Sequence, residues 1–314
     1  MLATMSRPLL WTASFHGLVA IACALALCLD AAPITGVHPA LKPLKFAVSI
    51  TAFLLTMGVL LPTLSVHETP RAVLAWLLAS TMGIEMVAIL VQALRGTTSH
   101  FNVRGPFETL IWNAMVAAIA VATIGIVCVV FAALVRPLAG EDGRSLPLLM
   151  TIAWRAGLVL LLLAPITGFA MGGRLRHSVG GEDGGAGLPF VNWSVHHGDL
   201  RVAHFFALHA VQVLPLVAWL LLHLELASWS RRALLAVAIG AATALSVGTV
   251  VQAFAGRPFW ARKALMRSLT VRELGEASSS EHESPRGGAN VGAAGAGSRA
   301  CALRREGLDG RGPS

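Results

Sequence analysis

The chain has 314 residues, 55% of them hydrophobic and only 13% charged, with a formal net charge of +8. Such a composition excludes an ordinary soluble domain, and long unbroken apolar runs place the chain in the membrane class. Much of the positive charge flanks those runs, where it sets orientation, so it does not point to nucleic acid as a partner.

A spanning helix needs about 20 mostly apolar residues. Seven runs meet this, at about 10–29, 44–66, 72–94, 110–135, 147–171, 201–225 and 232–255. They are continuous rather than alternating, which argues against a closed β-barrel. The prediction is an all-α polytopic membrane bundle of about seven transmembrane helices over residues 1–256, followed by a basic, mostly disordered tail over 257–314. The first run follows a lone Arg7 and reads as a helix rather than a cleaved leader. Thr69-Pro70 is expected to start the third helix, Ser145 with Pro147 the fifth, and Asp199 to cap the sixth. The connection over 172–198 is too long for a simple turn, and loops of this length are usually functional or disordered. Its glycine half reads as mobile, and Phe190 and Trp193 read as aromatics at headgroup level. No Cys-x-x-Cys occurs; Cys23, Cys28 and Cys128 read as buried free thiols, and Cys301 falls in the tail.

Ionisable and amide groups inside the runs are the informative exceptions. An acid near the bilayer centre costs several kcal/mol unless paired, protonated or wet. Glu85 in the third run is such a group, and Gln92 lies seven residues on, near the same helix face. The sixth run carries His209 with Gln212 beside it, the fifth carries Arg155, and the second shows a polar stripe of Lys45, Ser49, Thr56 and Thr63. Glu85 and His209 lie roughly 12–14 Å below the same membrane face by residue count. Equal depth allows a Glu85–His209 contact if their helices are neighbours, with one proton shared or both groups charged. The bland readings are interhelical glue for Gln92 and Gln212, a hydrogen-bonded core ring for His209, and pairing or snorkelling for Arg155.

With seven spans, the first, third and fifth connections share one face with the C-terminal tail. His38, Lys42, Lys45, Arg95, His100, Asn102, His196, His197, Asp199, Arg201 and His204 gather there. They form either the mouth of a polar cavity above Glu85 and His209 or a scattered solvated surface.

The strings "HPALKPLKFAVSI", "ALRGTTSHFN" and "NWSVHHGDLRVAHFFALHAVQVLPL" resemble those of an uncharacterised family of bacterial multi-pass integral membrane proteins, over about residues 35–225. The resemblance implies a class and assigns no catalytic residue. Arg257, Arg262, Lys263, Arg267 and Arg272 arrive after the last run before any acid. The positive-inside rule then sets the tail in the cytoplasm and the N-terminus outside, in a bacterial cytoplasmic (inner) membrane.

Several functions fit these features. The preferred one is ion- or proton-linked transport or sensing through a tail-side polar cavity. Glu85, His209, Gln92, Gln212 and Arg155 would lie within the bundle, and Lys45, His100, His204, Asp199 and Arg201 at the mouth, taking protons or a small anionic ligand. This reading needs no cofactor. The alternative is a haem b-binding electron carrier. The spacing of His209 and His223 resembles the paired ligands of cytochrome b helices, and His16 lies near the leaflet of His223. A zinc hydrolase wants histidines in the last helix, which has none. A membrane scaffold without chemistry also fits.

Overall fold

The computed structural model describes residues 5–140 and 142–260. Eight helices follow in order: α1 (Arg7–Ala26), α2 (Leu41–Leu60), α3 (Glu68–Leu94), α4 (Pro106–Val135), α5 (Leu148–Leu161), α6 (Leu163–Arg174), α7 (Leu200–His223) and α8 (Ser228–Phe254). α5 and α6 are two halves of one stretch, giving seven spans long and apolar enough to cross a bilayer. A short antiparallel ribbon pairs β1 (Ser178–Val179) with β2 (Gly198–Asp199). The molecule is an all-α multi-pass membrane bundle. Residues from 261 onward lie outside the described residues, and with them most of the expected tail, Arg262, Lys263, Arg267, Arg272 and Cys301.

Helices begin up to four residues before the apolar runs do. The opening turns of α3, α4 and α8 carry Glu68, Glu108, Arg231 and Arg232, which hydropathy discounts although they are helical. Two expected starts shift for a related reason. α3 begins at Glu68 without a side-chain cap, which moves Pro70 to its third position. α5 begins at Leu148, with Pro147 flanking it and Ser145 bridged to Ala139. A first-turn N–H has no intrahelical partner, so proline is tolerated anywhere in that turn and does not fix the start. The break at Leu162 has a sharper cause. Pro165 lacks the N–H that would bond the Leu161 carbonyl, and its ring crowds that carbonyl.

The bundle is apolar inside and out. Leu54, Met57, Leu78, Met86, Leu158 and Val211 form its main core. Trp11, Leu18, Ile124, Phe131, Val237 and Val251 are each more than half exposed on the outer faces. Such a belt suits hydrocarbon and would not suit water. It also corrects the reading of the thiols: Cys23 is buried, but Cys28 and Cys128 are exposed. An apolar run can face lipid as readily as protein.

Helix α1 packs against α2 and α3, whereas α7 packs chiefly against α5, α8 and α6. Close approach between α5 and α7 requires Gly157, where a Cβ would meet Val211 Cα at 2.8 Å and the Ala210 carbonyl oxygen at 3.0 Å. Both are backbone atoms and cannot swing aside. Gly157→Ala is therefore expected to lower stability by about 1–3 kcal/mol, the cost of overpacking. Gly17→Ala on α1, where a Cβ meets nothing within 4 Å, should be neutral or slightly stabilising. Thermal unfolding of the two variants in detergent checks the contrast, and equal midpoints would refute it.

Candidate functional site: a cationic cluster under the 175–199 loop

Asp199 organises the tail-side face. It is the N-cap of α7, as expected, and its carboxylate is buried. Oδ2 accepts from the Ser194 N–H at 2.9 Å, and Oδ1 accepts from the Arg201 N–H at 3.0 Å. The Arg201 guanidinium adds bonds of 3.0 Å from Nε and 2.6 Å from Nη2. Burial works against this charge, but the Arg201 guanidinium and the Ser194 N–H outweigh it and hold the carboxyl below its usual range.

The loop leading into Asp199 is built rather than draped. Asp183 accepts from the backbone N–H groups of His177 and Ser178 at 3.1 and 2.9 Å, and His177 Nδ1 lies 3.1 Å from the same carboxylate. Trp193 packs on Phe205, Phe206 and Phe259 with centroids 5.5–6.3 Å away. Phe190 is exposed at the loop tip. Phe190 and Asn192 both take left-handed backbone, at φ 61° and 55°. Such conformations cost about 1–3 kcal/mol each for residues with a side chain. Cations hold the segment: Lys45 Nζ donates to the Val191 carbonyl at 3.2 Å, and Arg201 Nη2 donates to the Asn192 carbonyl.

Lys45 and Arg201 are thus committed to the loop, while Lys42, one turn before Lys45, is not. Among the described residues Lys42 has no hydrogen-bond or ion-pair partner, although it is set deep among protein atoms. Its charged neighbours are Arg201, Lys45 and Glu85. His100 is stacked between Phe46, Trp112 and Phe101 at 5.2, 5.9 and 6.0 Å. Burial, then the nearby Lys42 and His204, push its imidazole well below the ordinary histidine range, so it is neutral at pH 7. His204 donates from Nδ1 to the Ala164 carbonyl at 2.8 Å. Lys42, His100 and His204 each keep part of their surface accessible although protein surrounds them closely.

The deeper groups divide differently from the sequence expectation. Glu85 is buried, its Oε1 has no hydrogen-bond partner, and Lys42 is the charge that influences it. No hydrogen bond or ion pair joins it to His209 among the described residues: His209 Nδ1 pairs instead with Gln212 Oε1 at 2.6 Å, and its ring stacks on Phe205 at 4.4 Å. Equal depth fixed one coordinate only, and α3 and α7 choose different main neighbours. Gln92 is wholly buried with both amide atoms unpartnered, and Gln212 Nε2 is unpartnered too. Arg155 lies away from this cluster, donating to the Ala133 and Arg136 carbonyls at 2.9 and 3.2 Å. It completes the open end of α4 on the opposite face.

Other members of the expected mouth serve their own loops. His38 bonds the Leu29 carbonyl and receives the Ala40 N–H, and Asn102 donates to Thr97 and Thr98. Arg95 pairs with Glu108 at 2.7 Å and lies over Phe107. His196 and His197 receive their order from Ser194. The histidines of the haem alternative are not convergent. His16 has Nδ1 and Nε2 against the Thr12 and Met82 carbonyls, at 2.7 and 3.2 Å. His223 bonds the Trp219 carbonyl and stacks on that ring, on a helix that packs with other neighbours. Among the described residues no group of three or more His, Cys, Asp or Glu is placed to hold a metal ion.

One member, His177, escaped sequence reasoning. His177 stood in a glycine-rich stretch with no periodic signal, and only the β1–β2 pairing returns it to Asp199, 3.9 Å away. Lys42 is among the mouth residues expected from the sequence, but residue order does not reveal that it lacks the partners held by Lys45 and Arg201. No protein-family model, characterised protein or solved structure matches this chain.

Burial and the Arg201 charge lower His177 to about 4, against the pull of Asp199 and Asp183. A histidine with a folded value below its unfolded one contributes in full above about pH 6.5, and that contribution is lost as pH falls from there toward about 4. Opening of the 175–199 loop, read by amide exchange at Ser178 and Val179, should rise by up to about tenfold per pH unit in that window. His177→Asn should flatten the dependence; an unchanged slope would refute the assignment. Asp199→Asn leaves Arg201 half-paired and should cost about 3–5 kcal/mol, measured as a lower unfolding midpoint and faster proteolysis of the loop.

Proposed function

We propose that this protein is an ion- or proton-linked membrane transporter or sensor that takes a small anionic ligand on its tail side. We further propose a bacterial cytoplasmic-membrane location with the N-terminus outside, on the strength of the basic residues after the last span. The observation that carries the functional reading is Lys42, a deep ammonium without a partner. A charge crowded by protein and left without a partner is costly unless something answers it. Lys45 and Arg201 add positive potential while staying bonded to the loop and to Asp199.

Glu85 supplies the link to protons. It is the acid that feels Lys42, and its Oε1 has no hydrogen bond. An anion on Lys42 cancels the positive charge that favours ionised Glu85, so anion and proton enter together. His100, neutral and near Lys42, lets the anion approach without adding a competing positive charge.

The test is calorimetric titration of phosphate and glycolate into the protein in nanodiscs, in two buffers of different ionisation enthalpy, which counts protons taken up per anion. Lys42→Met should weaken anion binding at least about tenfold, as loss of a charge-assisted bond does. Glu85→Gln should retain anion binding and abolish the proton uptake. Binding indifferent to Lys42, or proton uptake that survives Glu85→Gln, would overturn the proposal.

A further inference from the structure

We infer that a second site, on the face opposite the tail, holds the zwitterionic headgroup of a phospholipid whose ammonium is unmethylated, a phosphoethanolamine. The site is a cavity of about 260 Å³ lined by Ser6, Leu61, Pro62, Glu68, Arg71 and Ala72. None of these residues belongs to the Lys42 cluster, so the inference stands independently of the anion reading above.

The cavity forms where three span ends meet. Ser6 directly precedes α1, Leu61 and Pro62 follow α2 in a short 3-10 turn, and Glu68, Arg71 and Ala72 belong to the opening turns of α3. With seven spans these three ends share one face, at the level where a bilayer places its headgroups. Met5 is buried in the main core and pins Ser6 beside it. Ser6 caps nothing, and its hydroxyl is buried without a hydrogen-bond partner among the described residues. Glu68 and Arg71 stand three residues apart, a spacing at which helix side chains can pair. Yet neither has an ion-pair partner among the described residues; both line the same hollow instead. Arg71 is half-buried there, and Glu68 is exposed at the rim.

One hollow thus carries a cation and an anion that do not answer each other. A simple anion would satisfy Arg71 and meet repulsion from Glu68, and a simple cation the reverse. A zwitterion satisfies both. The planar fork of Arg71 suits a phosphate, and Glu68, which only accepts, suits an ammonium with N–H donors. A trimethylated ammonium keeps the charge but has no N–H to donate. The surroundings favour a lipid over a free solute. Leu61, Pro62 and Ala72 make the rest of the wall apolar. Ala72 is exposed, and Trp76, one turn on along the same face, is 58% exposed beside Val73 at 57%. Acyl chains joined to a headgroup in the cavity therefore have an apolar track to follow down α3.

Native mass spectrometry of the full chain in detergent tests this, with dioleoyl lipids of three headgroups added one at a time. The wild-type protein should retain the phosphoethanolamine lipid at least about tenfold better than the phosphocholine or phosphoglycerol lipid, the loss expected for one charge-assisted bond. Glu68→Gln should bring the ethanolamine and choline lipids level, and Arg71→Gln should lower retention of both. Neither residue is in the packed core, and the wild-type ratios decide the question even if a variant fails to insert. Glycerophosphoethanolamine, the same headgroup without chains, should bind at least about tenfold more weakly than the lipid, since it buries no acyl surface. Equal retention of the ethanolamine and choline lipids, a preference for the phosphoglycerol lipid, or a preference that survives Glu68→Gln would overturn this inference. So would a chain-free headgroup that binds as tightly as the lipid. Each of these results leaves the Lys42 reading standing, and the Lys42 variant bears only on that other site.

Discussion

A polar side chain inside a bilayer has no water to turn to, and in this bundle most such groups are answered within a turn of their own helix. Thr51, Thr56, Thr81, Thr123, Thr167 and Thr243 each donate to the carbonyl four residues back. His16 bridges α1 and α3 through the Met82 carbonyl, and Arg155 fills the open end of α4. These local solutions explain how an apolar chain tolerates so many hydroxyls. They also make the unanswered groups informative. Glu85 Oε1 and both amide atoms of Gln92 lie seven residues apart on the inward face of α3, buried and without partners. Unpaired polar groups at such a place are costly in a packed apolar interior.

Above that face, the 175–199 loop does the work that a water layer would do elsewhere. Asp199 converts Arg201 from a free cation into a fixed one, and Arg201 and Lys45 then grip the backbone of a segment with two left-handed residues. The loop is tied at its other end to α8, where Gly198 lies so close to the Ala253 carbonyl that a side chain would not fit. Strain, charge and close packing thus meet in one short region.

The division of labour among the cations follows. Arg201 has the planar fork that suits Asp199, and Lys45 reaches a single carbonyl as a point charge. Lys42, with the same chemistry as Lys45 one turn earlier, is left without a partner near neutral His100. Histidines near lysines stay neutral because a second positive charge in a dry setting is costly, and neutral rings keep acceptors available. The cluster therefore presents a cation and acceptors together.

The sequence by itself determined the membrane class, the seven spans, which loops share a face and the capping role of Asp199. These depend on run length, alternation of sides and local helix chemistry, all of which are properties of neighbours along the chain. For Glu85 and His209 the same reasoning gave equal depth but not their partners. Depth follows from residue count at a fixed rise per residue, but azimuth and helix adjacency do not. Only the tertiary structure decided that Glu85 Oε1 is left without a hydrogen bond, that His209 turns to Gln212, and that His177 returns to Asp199. In a bundle whose inner and outer surfaces are equally apolar, hydropathy no longer says which face of a helix looks inward. Packing of small residues such as Gly157 against a neighbouring backbone fixes it instead.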